Sequence, residues 1–415
     1  MSDIGLRAIS AGGFLAMMVI AWCFSNNRSK ISWPIVGWGV GLQFFLAILI
    51  FMTPFGAAFF VGVNQLVNRL ITYSEAGASF VFGGLMQTGV SFALNVLPVI
   101  IFMGSLIAVL YHLGLIQRVV NALAWLLART MRVSGAEALT AVANIFMGMV
   151  ESALVIKPYL AKMTRSELFS LMTLGMGTVS GSVLLVYVQF LGSPEFAGHL
   201  VTASLMSAPA GLLIAKIMLP ETGTPITSDG AKAASAIDDT ETRASNVIDA
   251  AASGAIGGLK LAAYIAALLI AFYALIEMSN DILGFAGSFV GWPDASFQDL
   301  LGIVMTPFAV LMGIPYADAA EIGSLLGVKT VLNEFVAYAQ LGEMVEAGSL
   351  APRSIVIASY ALCGFANFGS LAILLGGIEG IAPGRRREVA RLGLRSIVSG
   401  TLTTFMTACI VGMFL

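Results

Sequence analysis

Four polar side chains stand where an otherwise apolar chain should carry none. Glu151 lies within Ile-Phe-Met-Gly-Met-Val-Glu-Ser-Ala-Leu (145–154), and Glu334 within Lys-Thr-Val-Leu-Asn-Glu-Phe-Val-Ala-Tyr (329–338). Neither has a basic residue within one helical turn. An ionisable group in hydrocarbon costs about 2.5 kcal/mol or more and is a functional candidate by default. The structural alternative for each is an ion pair with a distant partner. Asn144 and Asn367 are neutral but equally awkward there. They suit coordination of a polar ligand or a cation, or the capping of a broken helix. Glu277 and Glu379 read as interfacial.

Other chemistries find little support. His112 and His199 share no motif, and Cys23, Cys363 and Cys409 lie in apolar runs at unrelated spacings, so neither a zinc centre nor a disulfide framework is expected. No G-x-x-x-x-G-K-[ST] loop exists to cradle a nucleotide, and no Ser/His/Asp set is available. An intramembrane enzyme built on the Glu151 and Glu334 carboxylates lacks a metal-ligating histidine and makes a weak case. The chain reads as a non-enzyme that needs no resident cofactor.

The elements that must position these groups follow from composition. Of 415 residues 58% are hydrophobic and 11% charged, against roughly 45–50% and 25% in soluble domains. Mean hydropathy is +0.92. Lys and Arg number 21 against 23 Asp and Glu, a net charge of −2 that offers no basic surface to nucleic acid. A helix needs about 20 apolar residues to cross a bilayer. Eight stretches qualify: 4–24, 33–53, 92–114, 167–190, 198–219, 260–282, 355–377 and 393–414. The first lacks a basic leader and a cleavage site, so it is expected to be retained. With the Arg28/Lys30 loop inside, the basic clusters at Arg118/Arg129/Arg132, Lys157/Lys162/Arg165, Lys216, Lys260 and Arg385–Arg387 all fall on the cytoplasmic side. Asp281, Asp294, Glu343 and Glu346 then fall outside, and both termini are periplasmic.

Residues 134–163 and 297–340 are long, partly apolar, and broken near the middle by Gly, Asn and Glu. Both read as re-entrant hairpins, whose backbone must be buried in protein or line a cavity. Arg165-Ser166 precedes Gly181-Ser182 by the same interval that separates Arg353-Ser354 from Gly369-Ser370. Each pair follows a hairpin that carries a glutamate. Three crossings separate the two units, so they point in opposite directions, and Arg353 becomes the exception to the positive-inside pattern. The expectation is an all-α polytopic membrane protein: eight transmembrane helices, two opposed re-entrant hairpins, and an inverted repeat with discontinuous helices. Its parts would be a scaffold over 1–133 with interfacial segments (56–80 among them) and a first unit over 134–219. A polar cytoplasmic loop with a surface helix at 246–251 would fill 220–258, a scaffold helix 259–296, and the second unit 297–415. That layout is the one secondary transporters use, with a binding site near the midplane. A receptor or channel would share the composition without needing two gated hairpins.

The strings at these positions resemble the concentrative nucleoside transporter family. They are Ala143-Asn144-Ile145-Phe146, Glu151 with Lys157-Pro158-Tyr159, Pro220-Glu221-Thr222, Asn246 to Ala251, Lys329 to Tyr338, and Cys363-Gly364-Phe365-Ala366-Asn367. The resemblance covers essentially the whole chain. It implies a homotrimer in the inner membrane that imports nucleosides with a sodium or proton gradient. Carried over by position, it assigns the ribose to Glu334, Asn367 and Ser370, with Phe365 flanking sugar or base. It assigns the base to Met149, Val150 and Glu151 at the first hairpin tip and to Val183. The cation would meet the side chains of Asn144 and Thr178 and the main-chain oxygens of Met147 and Val179. Retention of Asn144 and Thr178 favours sodium; a proton taken up by Glu151 or Glu334 is the alternative.

One departure stands out. Many members read Gly-Gln-Thr-Glu-Ala-Pro-Leu at the tip, where this chain has Gly148-Met149-Val150-Glu151-Ser152-Ala153-Leu154. The amide and hydroxyl that would bond a pyrimidine edge are gone, and Gly-Met resembles the purine-preferring branch. Purine nucleosides are therefore the expected cargo, with broad or pyrimidine specificity, or another polar metabolite, as the alternative.

Overall fold

The computed structural model describes residues 3–87, 92–228, 244–289, 291–293 and 296–415. Asp238, Asp239 and Asp294 lie outside the described residues. The described chain is helical throughout, with no strand among those residues. Six helices are long and apolar enough to cross a membrane. Five of them are α1 (Asp3–Cys23), α2 (Trp33–Phe51), α4 (Leu97–His112, extended back to Ala93), α11 (Phe196–Met218) and α12 (Val247–Ser288); the sixth is α18 (Arg386–Phe414), extended back to Pro383. The other two expected spans are the interrupted ones. Residues 167–190 divide into α9 (Arg165–Gly177) and α10 (Gly181–Phe190), and 355–377 into α16 (Pro352–Leu362) and α17 (Phe368–Ile381).

Each interruption has a local cause. α9 ends at Thr178, whose backbone is extended, and α10 restarts from Ser180 as N-cap. α16 ends at Cys363, and Asn367 restarts α17 by accepting a hydrogen bond from Ser370 N at 2.7 Å. That bond satisfies one of the orphan amides of a new helix start.

The hairpins show the same logic. α6 (Gly135–Phe146) opens on a capping box between Ser134 and Glu137 and meets α7 (Met149–Val155) at Met147-Gly148. α8 (Lys157–Leu160) leads on to the Thr164/Glu167 capping box that opens α9. In the second unit α14 (Ala319–Val331) meets α15 (Glu334–Glu346) at Leu332-Asn333. At 1.5 Å per residue, arms of 12 and 13 residues reach only about 18–20 Å, short of the roughly 30 Å hydrocarbon layer. The stretch 297–340 therefore contains more than a hairpin. α13 (Phe297–Leu311) is a separate helix laid antiparallel on α14, where Gly323 and Gly327 abut Thr306 and Leu301. Between them Gly313 takes φ +83°, a left-handed conformation suited to glycine.

A correction concerns the surface helix expected at 246–251. It is continuous with the scaffold helix, because no residue between Val247 and Ser288 breaks the backbone ladder; together they form the 42-residue α12. Residues 56–80 lie in α3 (Pro54–Phe82), and α5 (Leu115–Met131) follows α4. α12 packs on α4 where Gly254 and Gly258 allow close approach to Gly104.

Burial separates the layers. In α11 and α18, 89% and 78% of the apolar window is buried, against 33% in α1 and α2, 22% in α4 and 19% in α12. The two interrupted helices pack on the central α11–α18 pair, and α3, α4 and α12 lie outside it.

Candidate functional site

Four half-helices begin at one place. Their N-caps, Gly148 of α7, Ser180 of α10, Asn333 of α15 and Asn367 of α17, all line a cavity of about 160 Å³. Helix N-termini carry partial positive charge, so the site can hold a carboxylate that plain hydrocarbon would not. Glu334 is the first residue of α15 and 2% exposed. Its Oε2 accepts from Asn367 Nδ2 at 2.7 Å and its Oε1 from Tyr187 OH at 3.2 Å. Asn367 thus caps α17 with its oxygen and presents its amide to the carboxylate with its nitrogen. The result is an acceptor and a donor side by side on the cavity wall, the geometry that pairs with neighbouring hydroxyls.

The remaining positions expected to meet the substrate converge here. Met149, Val150 and Glu151 bring the first tip to the cavity, Val183 comes from α10, and Phe365 and Ser370 flank Asn367. The tip is held from two sides: a β-carbon at Gly175 of α9 would meet Met149, and one at Gly377 of α17 would meet Val150. Glu151, by contrast, is exposed. Its carboxylate folds over Gly148, into the space a β-carbon there would take. Glu151, Gly148 and Leu261 also line a second cavity of about 410 Å³ between α4 and α12, so the site adjoins a larger vestibule.

The expected cation residues sit at the opposite kind of helix end. Met147 and Thr178 are the C-caps of α6 and α9, where partial negative charge favours a cation. Asn144, 1% exposed, donates to Leu174 O at 2.7 Å, and its oxygen faces Ser152 Oγ at 3.5 Å. Thr178 Oγ1 instead meets Ser207 Oγ of α11 at 2.9 Å, and Val179 O accepts from Ser204 Oγ at 3.5 Å. Among the described residues no cluster of three His, Cys, Asp or Glu could hold a metal. A cation here would rest on neutral oxygens.

Several residues escaped the sequence reading. Tyr187 and Tyr338 stack at 4.3 Å between ring centroids behind Glu334, and Tyr338 OH donates to Ser359 O at 2.6 Å. A phenol inside an apolar run needs a polar partner when buried, which is the signal that was there to read. Leu261, Tyr264 and Ile265 of α12 also line the cavity, so the expected scaffold helix forms part of its wall. Lys329 is fully buried. At the base of the first unit Lys216 lies 2.6 Å from Glu137 and 3.4 Å from Glu221.

Comparison with known proteins agrees along the chain. Family models described as Na+ dependent nucleoside transporter N-terminus, nucleoside recognition, and Na+ dependent nucleoside transporter C-terminus match residues 12–85, 93–194 and 199–412. The chain is 44% identical over 405 residues to the uncharacterized transporter YutK of Bacillus subtilis (strain 168), covering 97% of this chain and 98% of that one. It is 40% identical over 421 residues to solute carrier family 28 member 3 of Homo sapiens, covering 98% of this chain and 60% of that one. It spans 58% of the length of the mouse and rat proteins of that name. A CNTnw structure in an inward-facing substrate-bound state is similar at TM-score 0.91 and 38% identity, over 100% of this chain and 98% of that one. A CNTnw variant in an outward-facing state is similar at TM-score 0.93 and 38% identity, over 100% and 99%. By these matches the chain belongs to the concentrative, Na+-dependent nucleoside transporter family, a family of transporters and not of enzymes.

Proposed function

We propose that this protein is a sodium-driven symporter that imports nucleosides, purine nucleosides foremost, across the inner membrane. The observation that carries the reading is the Glu334–Asn367 pair on a cavity where four half-helix N-termini meet. The sugar hydroxyls exchange hydrogen bonds with that pair, and Ser370 and Phe365 flank them. The base lies toward Met149, Val150, Glu151 and Val183. Met149 brings a polarizable thioether and Val150 only methyls, a surface that packs on a flat purine and offers nothing to the polar edge of uracil.

Sodium occupies the oxygens of Asn144, Met147, Thr178 and Val179. Asn144 and Ser152 join the two arms of the first hairpin, so a cation there steadies the tip that meets the base. Coupling follows, since whatever orders the tip improves nucleoside binding and the reverse holds by linkage. The larger cavity past Glu151 supplies a path to and from the site. Outward apolar side chains of α12 such as Ile270, Ile282 and Phe285 face lipid or the other copies of a homotrimer.

Uptake of labelled nucleosides into proteoliposomes tests this directly. Accumulation above equilibrium under an inward sodium gradient is expected, with adenosine, guanosine or inosine competing better than uridine. Accumulation with a pH gradient in sodium-free buffer would assign the coupling to protons. Equilibration without accumulation would make the protein a facilitator or channel.

A further inference from the structure

The residues leading into the two hairpin tips occupy matching positions and differ by one charge. Asn144 lies four residues before Gly148, the N-cap of α7, and Lys329 four residues before Asn333, the N-cap of α15. Asn144 Nδ2 donates to Leu174 O at 2.7 Å, and Lys329 Nζ donates to Ala361 O at 2.7 Å. Each of those carbonyls belongs to the last turn of a half-helix, six residues before the N-cap of its successor, Ser180 or Asn367. The closing helices repeat the pattern. Ser207 Oγ of α11 donates to Ser204 O, and Thr404 Oγ1 of α18 donates to Thr401 O, three residues back in both. Ser207 then meets Thr178 Oγ1, while Thr404 Oγ1 accepts from Lys329 Nζ at 3.1 Å.

Lys329 is 0% exposed and forms no ion pair among the described residues. Its hydrogen bonds go to a backbone carbonyl at a helix C-terminus and to a hydroxyl, the neutral oxygens that a small hard cation prefers. Lys216 shows the contrast, for it lies 2.6 Å from a carboxylate. A buried lysine placed for structural pairing alone would be expected to look like Lys216.

We propose that the Lys329 ammonium is a tethered cation. It fills the second unit's counterpart of the cation site read in the first, so α14, the end of α16 and α18 are joined by the chain's own charge. The cycle then takes up one mobile cation, through the first unit only. This rests on the reading of Asn144 and its neighbours as a cation site.

Lys329→Gln keeps hydrogen-bond donors and removes the charge; Lys329→Ala removes both. Uptake at ordinary sodium is expected to fall by at least about a hundredfold in each, because a site organised around a buried charge loses it. The melting temperature of Lys329→Ala should rise with ammonium or sodium chloride, relative to choline chloride, by several degrees more than that of the unchanged protein. Residual uptake should depend more steeply on sodium, as two ions are now required. Wild-type uptake and sodium dependence in Lys329→Gln would overturn the proposal by showing that hydrogen bonding suffices. So would a Lys329→Ala melting temperature indifferent to both cations, or failure to recover either variant folded with ammonium present throughout purification. If only Lys329→Gln folds, its uptake decides. Asn144→Ala separates the two readings: unchanged sodium dependence there removes the first-unit site, while the melting response of Lys329→Ala is still read on its own.

Discussion

The first unit, α6 to α11, presents Met149, Val150 and Glu151 at its tip, with Asn144 behind them, and keeps its buried lysine, Lys216 of α11, in an ion pair with Glu137 at its base. The second, α14 to α17, carries charge at the tip itself, with Glu334 on the cavity and Lys329 behind it. The parts correspond, yet the first tip carries only the exposed carboxylate of Glu151, with neutral Asn144 behind it, while the second buries Glu334 with the Lys329 ammonium behind it. On the proposed reading, the neutral oxygens and amide around Asn144 can gain and release a cation, and Met149 and Val150 can pack against differing bases. On the same reading, a tip whose charges are supplied by the chain suits the invariant part of the cargo, the sugar. Opposed repeats need not do the same work.

The largest effect expected concerns the base of the first unit. Lys216→Met leaves Glu137 buried without its partner, and loss of one member of a buried pair costs about 3–5 kcal/mol. Thermal unfolding in detergent should show a marked loss of stability, partly restored by adding Glu137→Gln. A stability unchanged by Lys216→Met would erase the contrast between the two lysines. Glu221 extends that cluster. Burial would raise its carboxyl, but Lys216 and a hydrogen bond from Gly223 N outweigh this and hold it below the ordinary range. Its contribution is therefore present above about pH 4.3 and lost as the pH falls through the depressed value. A melting temperature that rose on acidification through that window would contradict the arrangement.

Next comes the second tip. Glu334→Ala leaves the Asn367 amide and the Tyr187 hydroxyl unpaired, and hydrogen bonds to a charged group contribute about 1.5–3 kcal/mol each. Nucleoside affinity should fall about a hundredfold or more, and about tenfold for Glu334→Gln, since 1.4 kcal/mol is one decade. The loss should be smaller for nucleosides already lacking a sugar hydroxyl. Equal losses for ribo- and deoxyribonucleosides in competition assays would reassign Glu334 to structure.

The first tip should respond more gently. Asn144→Ala removes one neutral oxygen from the proposed cation site, worth about 0.5–1.5 kcal/mol, so the sodium concentration for half-maximal uptake should rise up to about tenfold. An unmoved sodium curve would break the assignment of the cation to this unit. Smallest is the change in base preference. Met149→Gln with Val150→Thr should move the uridine-to-purine affinity ratio several-fold toward uridine, about 1 kcal/mol for one or two hydrogen bonds. Should the wild type favour uridine and the double variant leave the ratio in place, Met149 and Val150 serve only to pack against Gly175 and Gly377.

Much of this was legible in the chain. Glycine and small polar residues inside otherwise apolar runs marked both interrupted helices, because a break needs residues that cap or tolerate extended backbone. Asn367 is such a cap, and its position also put it on the cavity. The residues that went unread depend on a partner far away in sequence. Tyr187 gains its meaning from Glu334, Lys329 from Ala361 and Thr404, and Tyr264 from the turn of α12 toward the cavity. A phenol in an apolar run signals that a polar partner is needed, but nothing local says which one.

By itself the sequence determined that the chain is a helical membrane protein, that two of its spans are interrupted, and which polar groups hydrocarbon would reject. Those are properties of composition, period and transfer cost, which act residue by residue. Only the tertiary structure decided that four half-helices start on one cavity and that Glu334 is held from two elements. It also decided that Glu151 is left exposed and that Lys329 takes the place matching Asn144. The physical reason is that a buried polar group must be satisfied, and the partners that satisfy it here come from helices far apart in the chain, some of opposite repeats.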